Sequence, residues 1–254
     1  MSYTKISWTE RTWNPSTGCT KISAGCLNCY ASSLAVRLKS MGVNKYRNGF
    51  NLTFHSNEIL TPFAWKRPSV IFVNSMSDLF HEEMPVEYIE RVFNTMNKCE
   101  RHIFQVLTKR AKRMRDICRG FKIKDNIWLG VTVENSQNKF RADLLREVHA
   151  KVKFLSIEPM LESLPKLNLE KINWVIVGGE SGPKARPIQK DWVEDIQRQC
   201  KENGVQFFFK QWGGFNKKQN GNLLNGKRYE EYPSEYIAWQ KMLNDQYRSG
   251  ELFQ

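Results

Sequence analysis

Ile127-Trp128-Leu129-Gly130-Val131, followed at once by Thr132-Val133-Glu134-Asn135, is a short apolar run that ends in polar side chains. It is too short for a buried helix and reads as a strand whose end carries reactive or binding groups. The pattern recurs at Val70–Val73, Ile103–Leu107, Val152–Ile157, Trp174–Val177 and Val205–Phe209. Successive starts lie roughly 20 to 35 residues apart, the length of one βα unit. Between the runs the spacing turns helical. Pro85 opens a helix through Val86, Ile89, Val92, Phe93 and Met96, with its φ preset for the first turn. A second helix is expected over Asn138–Ala150 and a third over Lys190–Asn203, stopped by Gly204. Strands alternating with helices and no long loops indicate an α/β fold, a parallel sheet covered by helices. A partial or complete (β/α) barrel is the first expectation and an open doubly wound sheet the second. In either fold the polar strand ends share the carboxyl face, where such folds carry their sites. Those ends are Asn74-Ser75-Met76-Ser77-Asp78, Thr108-Lys109-Arg110, Thr132–Asn135, Glu158-Pro159, Gly178–Ser181 and Lys210-Gln211-Trp212.

The chain has 254 residues, 41% of them hydrophobic, enough for one full core and short for two. One domain is expected, a barrel over residues 1–212 with a C-terminal unit over 213–254 packed on it. In that unit Leu223–Arg228 reads as a turn and short hairpin, a flap, and Ser234 as the N-cap of a last helix. No apolar run of about 18 residues is present to span a bilayer, and Met1–Trp13 lacks the pattern of a signal peptide. A cytoplasmic protein is expected, with its six cysteines reduced. Net charge is +13; between Lys98 and Lys153, 15 Lys or Arg stand against 6 Asp or Glu. The stretch from Lys109 to Lys124 is the densest part, and such clusters attract the phosphates of nucleic acid. Trp212 and Phe215, beside Lys210, Lys217 and Lys218, are candidates to stack an unpaired base or to close the barrel core.

Cys99, Cys118 and Cys200 stand singly and read as buried hydrophobes. Cys19, Cys26 and Cys29 share one short loop. Three thiolates can hold a 4Fe-4S cube at three irons and leave the fourth open to a small molecule, whereas a closed structural site does no such chemistry. Zinc is the rival, with Cys26-x2-Cys29 as a half-site and Cys19 with His55 or another residue completing the four ligands. Cys29 to Ser40 reads as the first helix, ending near Gly42, with its amino end toward the thiols.

The stretch Thr12-Trp13-Asn14-Pro15-x2-Gly18-Cys19-x6-Cys26-x2-Cys29-Tyr30-Ala31 resembles the opening of a phage and bacterial three-cysteine-motif family, also called a phage protein of unknown function and classed as radical S-adenosylmethionine-like. Asn74–His81, Leu107–Arg110, Gly130–Asn135, Ser156–Met160 and Gly178–Gly182 extend the likeness over residues 8 to about 233. The resemblance implies a partial (β/α) barrel of the radical-SAM type and a 4Fe-4S cluster on Cys19, Cys26 and Cys29. It also implies S-adenosylmethionine as cofactor, cleaved to a 5'-deoxyadenosyl radical with an electron from a reductant protein. Asp78 would hold the cofactor amino group, with Ser75 and Ser77 in place of the usual glycine-glycine-glutamate. Lys109 or Arg110 would take its carboxylate, and Thr132, Glu134 and Asn135 its ribose. Glu158 and Glu180 would meet the substrate, for which a nucleic acid is expected, in base modification or repair. The six-residue spacing between Cys19 and Cys26 departs from the three of the usual radical pattern. The other readings are a cysteine-zinc nucleic-acid-binding protein and a non-catalytic subunit that serves a protein partner.

Overall fold

Along Val70–Val73 alternate side chains join two different cores: Ile71 and Val73 lie among the helices, Val70 and Phe72 on the opposite face. A strand buried on both faces needs apolar residues at every position, hence the unbroken runs. The computed structural model describes residues 4–249, the side chains of Lys217 and Lys218 excepted. Residues 1–3 and 250–254, the outer ends of the two expected units, and those two lysine side chains lie outside the described residues.

The strands in chain order are β1 (Arg11–Trp13), β2 (Ser16–Thr17), β3 (Thr53–Phe54), β4 (Val70–Val73), β5 (Ile103–Thr108), β6 (Ile127–Thr132), β7 (Lys153–Ile157), β8 (Trp174–Gly178) and β9 (Gln206–Gln211). Seven of them form one parallel sheet in the order β1-β4-β5-β6-β7-β8-β9. Each strand is thus laid beside its predecessor in one direction. Right-handed crossovers then put every intervening helix on the same side, and the twisted sheet curls into a half-barrel. The helices are α1 (Tyr30–Ser40), α2 (Val86–Lys98), α3 (Ala111–Cys118), α4 (Phe140–Arg146), α5 (Lys190–Glu202), α6 (Lys217–Asn220) and α7 (Ser234–Ser249).

The convex core joins Ile89, Val92 and Phe93 of α2, Met114 of α3, Leu145 of α4 and Val193 and Ile196 of α5 to Ile71, Val106, Leu129, Leu155 and Val175 of the sheet. The concave face is aromatic. Trp174 has Trp128, Phe154, Phe208 and Tyr232 at ring-centroid distances of 6.3, 5.9, 5.9 and 5.3 Å. Gly130 makes room for this cluster: a Cβ there would lie 2.5 Å from the Phe154 ring. Tyr232, Tyr236 and Trp239 stack in sequence against the same cluster, so the segment leading into α7 closes the lower part of the half-barrel.

The helix expected over Asn138–Ala150 is shorter, with a 3-10 turn at Ser136–Asn138 leading into α4. The expected hairpin is a two-residue turn between Leu224 and Lys227, with Asn225 and Gly226 both at positive φ, as this turn type requires. Cys99, Cys118 and Cys200 are buried, and burial pushes the latter two thiols up to about 12, so they are inert fillers.

Candidate metal and cofactor site

Between β1 and β4 the chain leaves the sheet, and the antiparallel pair β2–β3 ties the neck of this excursion together. Inside it run the cysteine loop and α1. Gly18 turns the chain into the loop at φ +88°, where a Cβ would lie 2.1 Å from the Asn51 carbonyl oxygen. Its amide donates to the Met76 carbonyl at 2.9 Å, which sets the loop on the carboxyl end of β4.

Three buried side chains at strand ends hold the loop, each at a different point. After β5, Arg110 donates to Cys19 Sγ at 3.4 Å, to the Thr20 hydroxyl at 2.9 Å and to the Thr20 carbonyl at 3.2 Å. The same guanidinium meets Asp78 Oδ2 at 3.1 Å and Glu82 Oε2 at 2.7 Å. After β6, Glu134 accepts from the Ser23 hydroxyl and pairs with Arg141 at 2.8 Å. After β8, Glu180 accepts from Asn28 Nδ2 at 2.9 Å and pairs with Arg186 at 2.6 Å. Cys19, the turn before Cys26 and the residue before Cys29 are therefore each tied to a separate strand of the half-barrel. Charge-assisted bonds in a place that solvent hardly reaches make this a rigid attachment.

The electrostatics differ along the loop. Burial, then the Asp78 charge, push the Cys19 thiol up to about 11 despite Arg110. For Cys26 burial acts upward too, yet backbone donors, the Lys109 ammonium and Ser23 outweigh it, and the thiol is lowered. Cys29 is the N-cap of α1, at the end where a helix leaves its first amide groups without partners in the helix. Glu180 is held low: hydrogen bonds from Arg186 and Asn28 overcome its burial.

The remaining expected site residues fall into two sets. Asp78 is saturated, accepting from Thr108 Oγ1, the amides of Phe80 and Lys109, and Arg110. Ser75 bonds Asn14 and Ser77 bonds Ser16, both next to the loop's neck. Glu158 forms an ion pair with Lys210 of β9 at 2.7 Å, and its charge acts on Tyr30 at the start of α1. Thr132 is buried, with its carbonyl held by Arg141, and Asn135 accepts from Asn138 Nδ2, so both serve the packing of α4.

Sequence reasoning misses Ser23, Asn28 and Arg186. The first two are visible as polar residues between the cysteines, but their carboxylate partners stand 111 and 152 residues further along the chain. No local spacing rule connects them.

Among the described residues no group of three or more His, Cys, Asp or Glu side chains could hold a metal ion as placed. His55, a candidate fourth zinc ligand, bonds the Thr17 hydroxyl at 2.9 Å. The chemistry of the donor set fits an iron-sulfur cluster: three free thiols on one anchored loop, with cations beside Cys19 and Cys26 to offset the charge of thiolates and sulfides.

The basic stretch is largely consumed inside the molecule. Arg115 and Arg119 pair with Glu147, Lys124 with Glu100, and Arg113 donates to the Met84 carbonyl. Lys109, Lys112 and Lys122 form no ion pair among the described residues. Trp212 donates to the Leu223 carbonyl at 2.9 Å and packs on the convex core, while Phe215 is exposed.

Residues 3–233 match the family model described as Protein of unknown function (DUF5131). The chain belongs to that family. Its members' description assigns no activity, and the match ends one residue before α7. No curated protein matches the sequence. Two solved structures are similar in fold: spore photoproduct lyase complexed with dinucleoside spore photoproduct, and a mutant of that lyase with bound AdoMet and the same dinucleoside. Each gives a TM-score of 0.47 at 10% identity, over 79% of this chain and 63% of that one. The chain thus spans less than two thirds of the length of those lyases.

Proposed function

We propose that this protein is a radical S-adenosylmethionine-type iron-sulfur enzyme acting on nucleic acid, of the three-cysteine kind that its opening motif resembles. One observation carries the reading: a loop with three free thiols is fastened by Arg110, Glu134 and Glu180 across the carboxyl face of a parallel half-barrel. A structural cysteine site needs no such attachment to three strand ends. In this reading Cys19, Cys26 and Cys29 hold a 4Fe-4S cluster, which supplies one-electron reductive cleavage of the bound cofactor.

The chain's own residues do the rest. Arg110 fixes the direction of Cys19, and Asp78, whose oxygens are fully engaged, fixes Arg110 rather than reaching the cofactor amino group. The Lys109 ammonium, already near Cys26, takes the cofactor carboxylate. Ser75 and Ser77 offer hydroxyls at the end of β4. Glu158 with Lys210 forms a charged pair on the concave side, able to hold a polar substrate group and move a proton at the Glu158 carboxylate. Glu180, Glu134, Thr132 and Asn135 maintain the wall. Net charge of +13 and the uncommitted Lys109, Lys112 and Lys122 support a polyanionic substrate.

Anaerobic reconstitution with iron and sulfide, then reductant and S-adenosylmethionine, tests this. Bound iron with release of 5'-deoxyadenosine is expected, lost in Cys26→Ala, and raised by single-stranded DNA or RNA. Stoichiometric zinc without cofactor cleavage would refute the enzyme reading. Cleavage indifferent to both polymers would refute the nucleic-acid substrate alone.

A further inference from the structure

Beyond β9 the chain turns at Gly213 and Gly214, both at positive φ, +78° and +84°. Neither has room for a side chain: a Cβ would lie 2.2 Å from the Glu180 carbonyl oxygen at Gly213 and 2.6 Å from Asn220 Nδ2 at Gly214. The Gly214 amide donates to the Glu180 carbonyl at 2.7 Å, and the Gly214 carbonyl accepts from the Gly182 amide at 3.1 Å. The turn is therefore fastened to the segment that follows β8. Phe215 comes next, 81% exposed and the most exposed aromatic ring among the described residues.

Beside this turn lies a cleft of about 310 Å³, lined by residues 185–188 after β8 and by Trp212, Gly214 and Asn220 after β9. Its lining is held in place. Trp212 donates from its indole to the Leu223 carbonyl at 2.9 Å and from its amide to the Gly221 carbonyl at 3.0 Å, and Asn220 Nδ2 donates to the Gly213 carbonyl at 2.7 Å. Arg186 spends Nε and Nη2 on Glu180 at 2.9 and 2.6 Å, which leaves the flat faces of its guanidinium for stacking. Ligand sites run from about 300 to 1,000 Å³, so this one suits a single ring system with apolar walls.

The two segments that line the cleft are free of acids. Between Glu180 and Asp191 stand Lys184, Arg186 and Lys190, and between Glu202 and Glu230 stand Lys210, Lys217, Lys218, Lys227 and Arg228, with no Asp or Glu in either interval. Arg186, Lys190 and Lys210 are paired with Glu180, Glu194 and Glu158, whereas Lys184, Lys227 and Arg228 form no ion pair among the described residues. Charge alone does not single out this place, since Lys109, Lys112 and Lys122 are also unpaired; the ring and the cleft do. We propose that they form a subsite for the nucleotides flanking the reacting one in a single-stranded nucleic acid. One unpaired base enters the cleft against Trp212 and Arg186, the next stacks on Phe215, and Lys184 meets the phosphates. The subsite deepens the nucleic-acid part of the function proposed above and does not depend on the radical chemistry.

Fluorescence anisotropy tests this with labelled oligothymidylate, oligouridylate and an all-abasic strand of the same length, about 12 nucleotides each. At least one base-bearing strand is expected to bind wild type tenfold or more tighter than the abasic strand. Phe215→Ala, which removes the ring, and Ala185→Trp, which fills the cleft, should each weaken that binding fivefold or more and shift abasic binding by less than twofold, at unchanged thermal midpoints. Equal affinity for base-bearing and abasic strands, indifference to both substitutions, or thymidine monophosphate binding as tightly as the oligonucleotide would each overturn the subsite. Strand-stimulated 5'-deoxyadenosine release that both variants leave unchanged would sink the subsite and spare the enzyme reading. Phe215-dependent strand binding by a protein that takes up no iron would do the reverse.

Discussion

Arg110 gives hydrogen bonds to Asp78, Glu82, Thr20 and Cys19 from a position only 6% exposed, so its removal strands a buried carboxylate as well as freeing the loop. Breaking one side of a buried pair costs about 3–5 kcal/mol, whereas a partly exposed one contributes about 1 kcal/mol at most. Arg110→Gln is therefore expected to lower the urea midpoint strongly, and Glu82→Gln, at the exposed end of the same network, hardly at all. Equal losses would show that Asp78 does not need its partner. His102 offers a separate test. Its ring is fully buried against Trp65 and Phe104, and that burial depresses it to about 4 from 6.5. The unfolded chain then binds more protons between these values, so stability is complete above pH 6.5 and is lost as pH falls toward 4. At most about 3 kcal/mol is at stake. Denaturation curves of His102→Phe should lack this acid-side slope.

At the scale of elements, β6 and the cysteine loop carry the sharpest expectations. Gly130→Ala drives a methyl group into the Phe154 ring on the crowded concave face and should cost about 1–3 kcal/mol. Combining it with Phe154→Leu should recover part of that loss, and simple additivity of the two costs would contradict the contact. Ser23→Ala removes the loop's bond to Glu134 while leaving the Glu134–Arg141 pair intact. Faster hydrogen exchange limited to about residues 18–29 is the expected readout, and unchanged protection would show that Arg110 and Asn28 suffice. The strands were legible because each is buried on both faces, which demands an apolar run whatever lies around it. The Lys190–Glu202 helix was legible for a similar reason: Val193, Ile196 and Cys200 form one stripe. Strand β1 was not, since Arg11-Thr12-Trp13 has no apolar run and is a strand only through its pairing with β4. α3 presents mostly charge, and only Ala111, Met114 and Cys118 reveal its packed side.

For the whole molecule, the half-barrel's lower opening is covered by a segment that lies at and beyond the end of the family match. Stopping the chain after Pro233 removes Tyr236 and Trp239 from the aromatic cluster around Trp174. A loss of about 2–4 kcal/mol is expected from two partly buried aromatic rings, with far-UV circular dichroism otherwise native and new binding of a hydrophobic dye. No change in the thermal midpoint would mean that α7 does not stabilise the sheet. The sequence by itself determined the βα rhythm, the parallel sheet, the shared face of the strand ends and the three thiols on one loop, because burial and ligand chemistry act through residue type and local spacing. Tertiary structure alone decided which cations remain available and which carboxylates fasten the loop. Arg115 of α3 and Arg119 just after it look free in the sequence and both meet Glu147, while Ser23, Asn28, Glu134 and Glu180 look unrelated and meet. Ion pairs and hydrogen bonds form between groups brought together by the fold, and their separation along the chain carries no trace of that meeting.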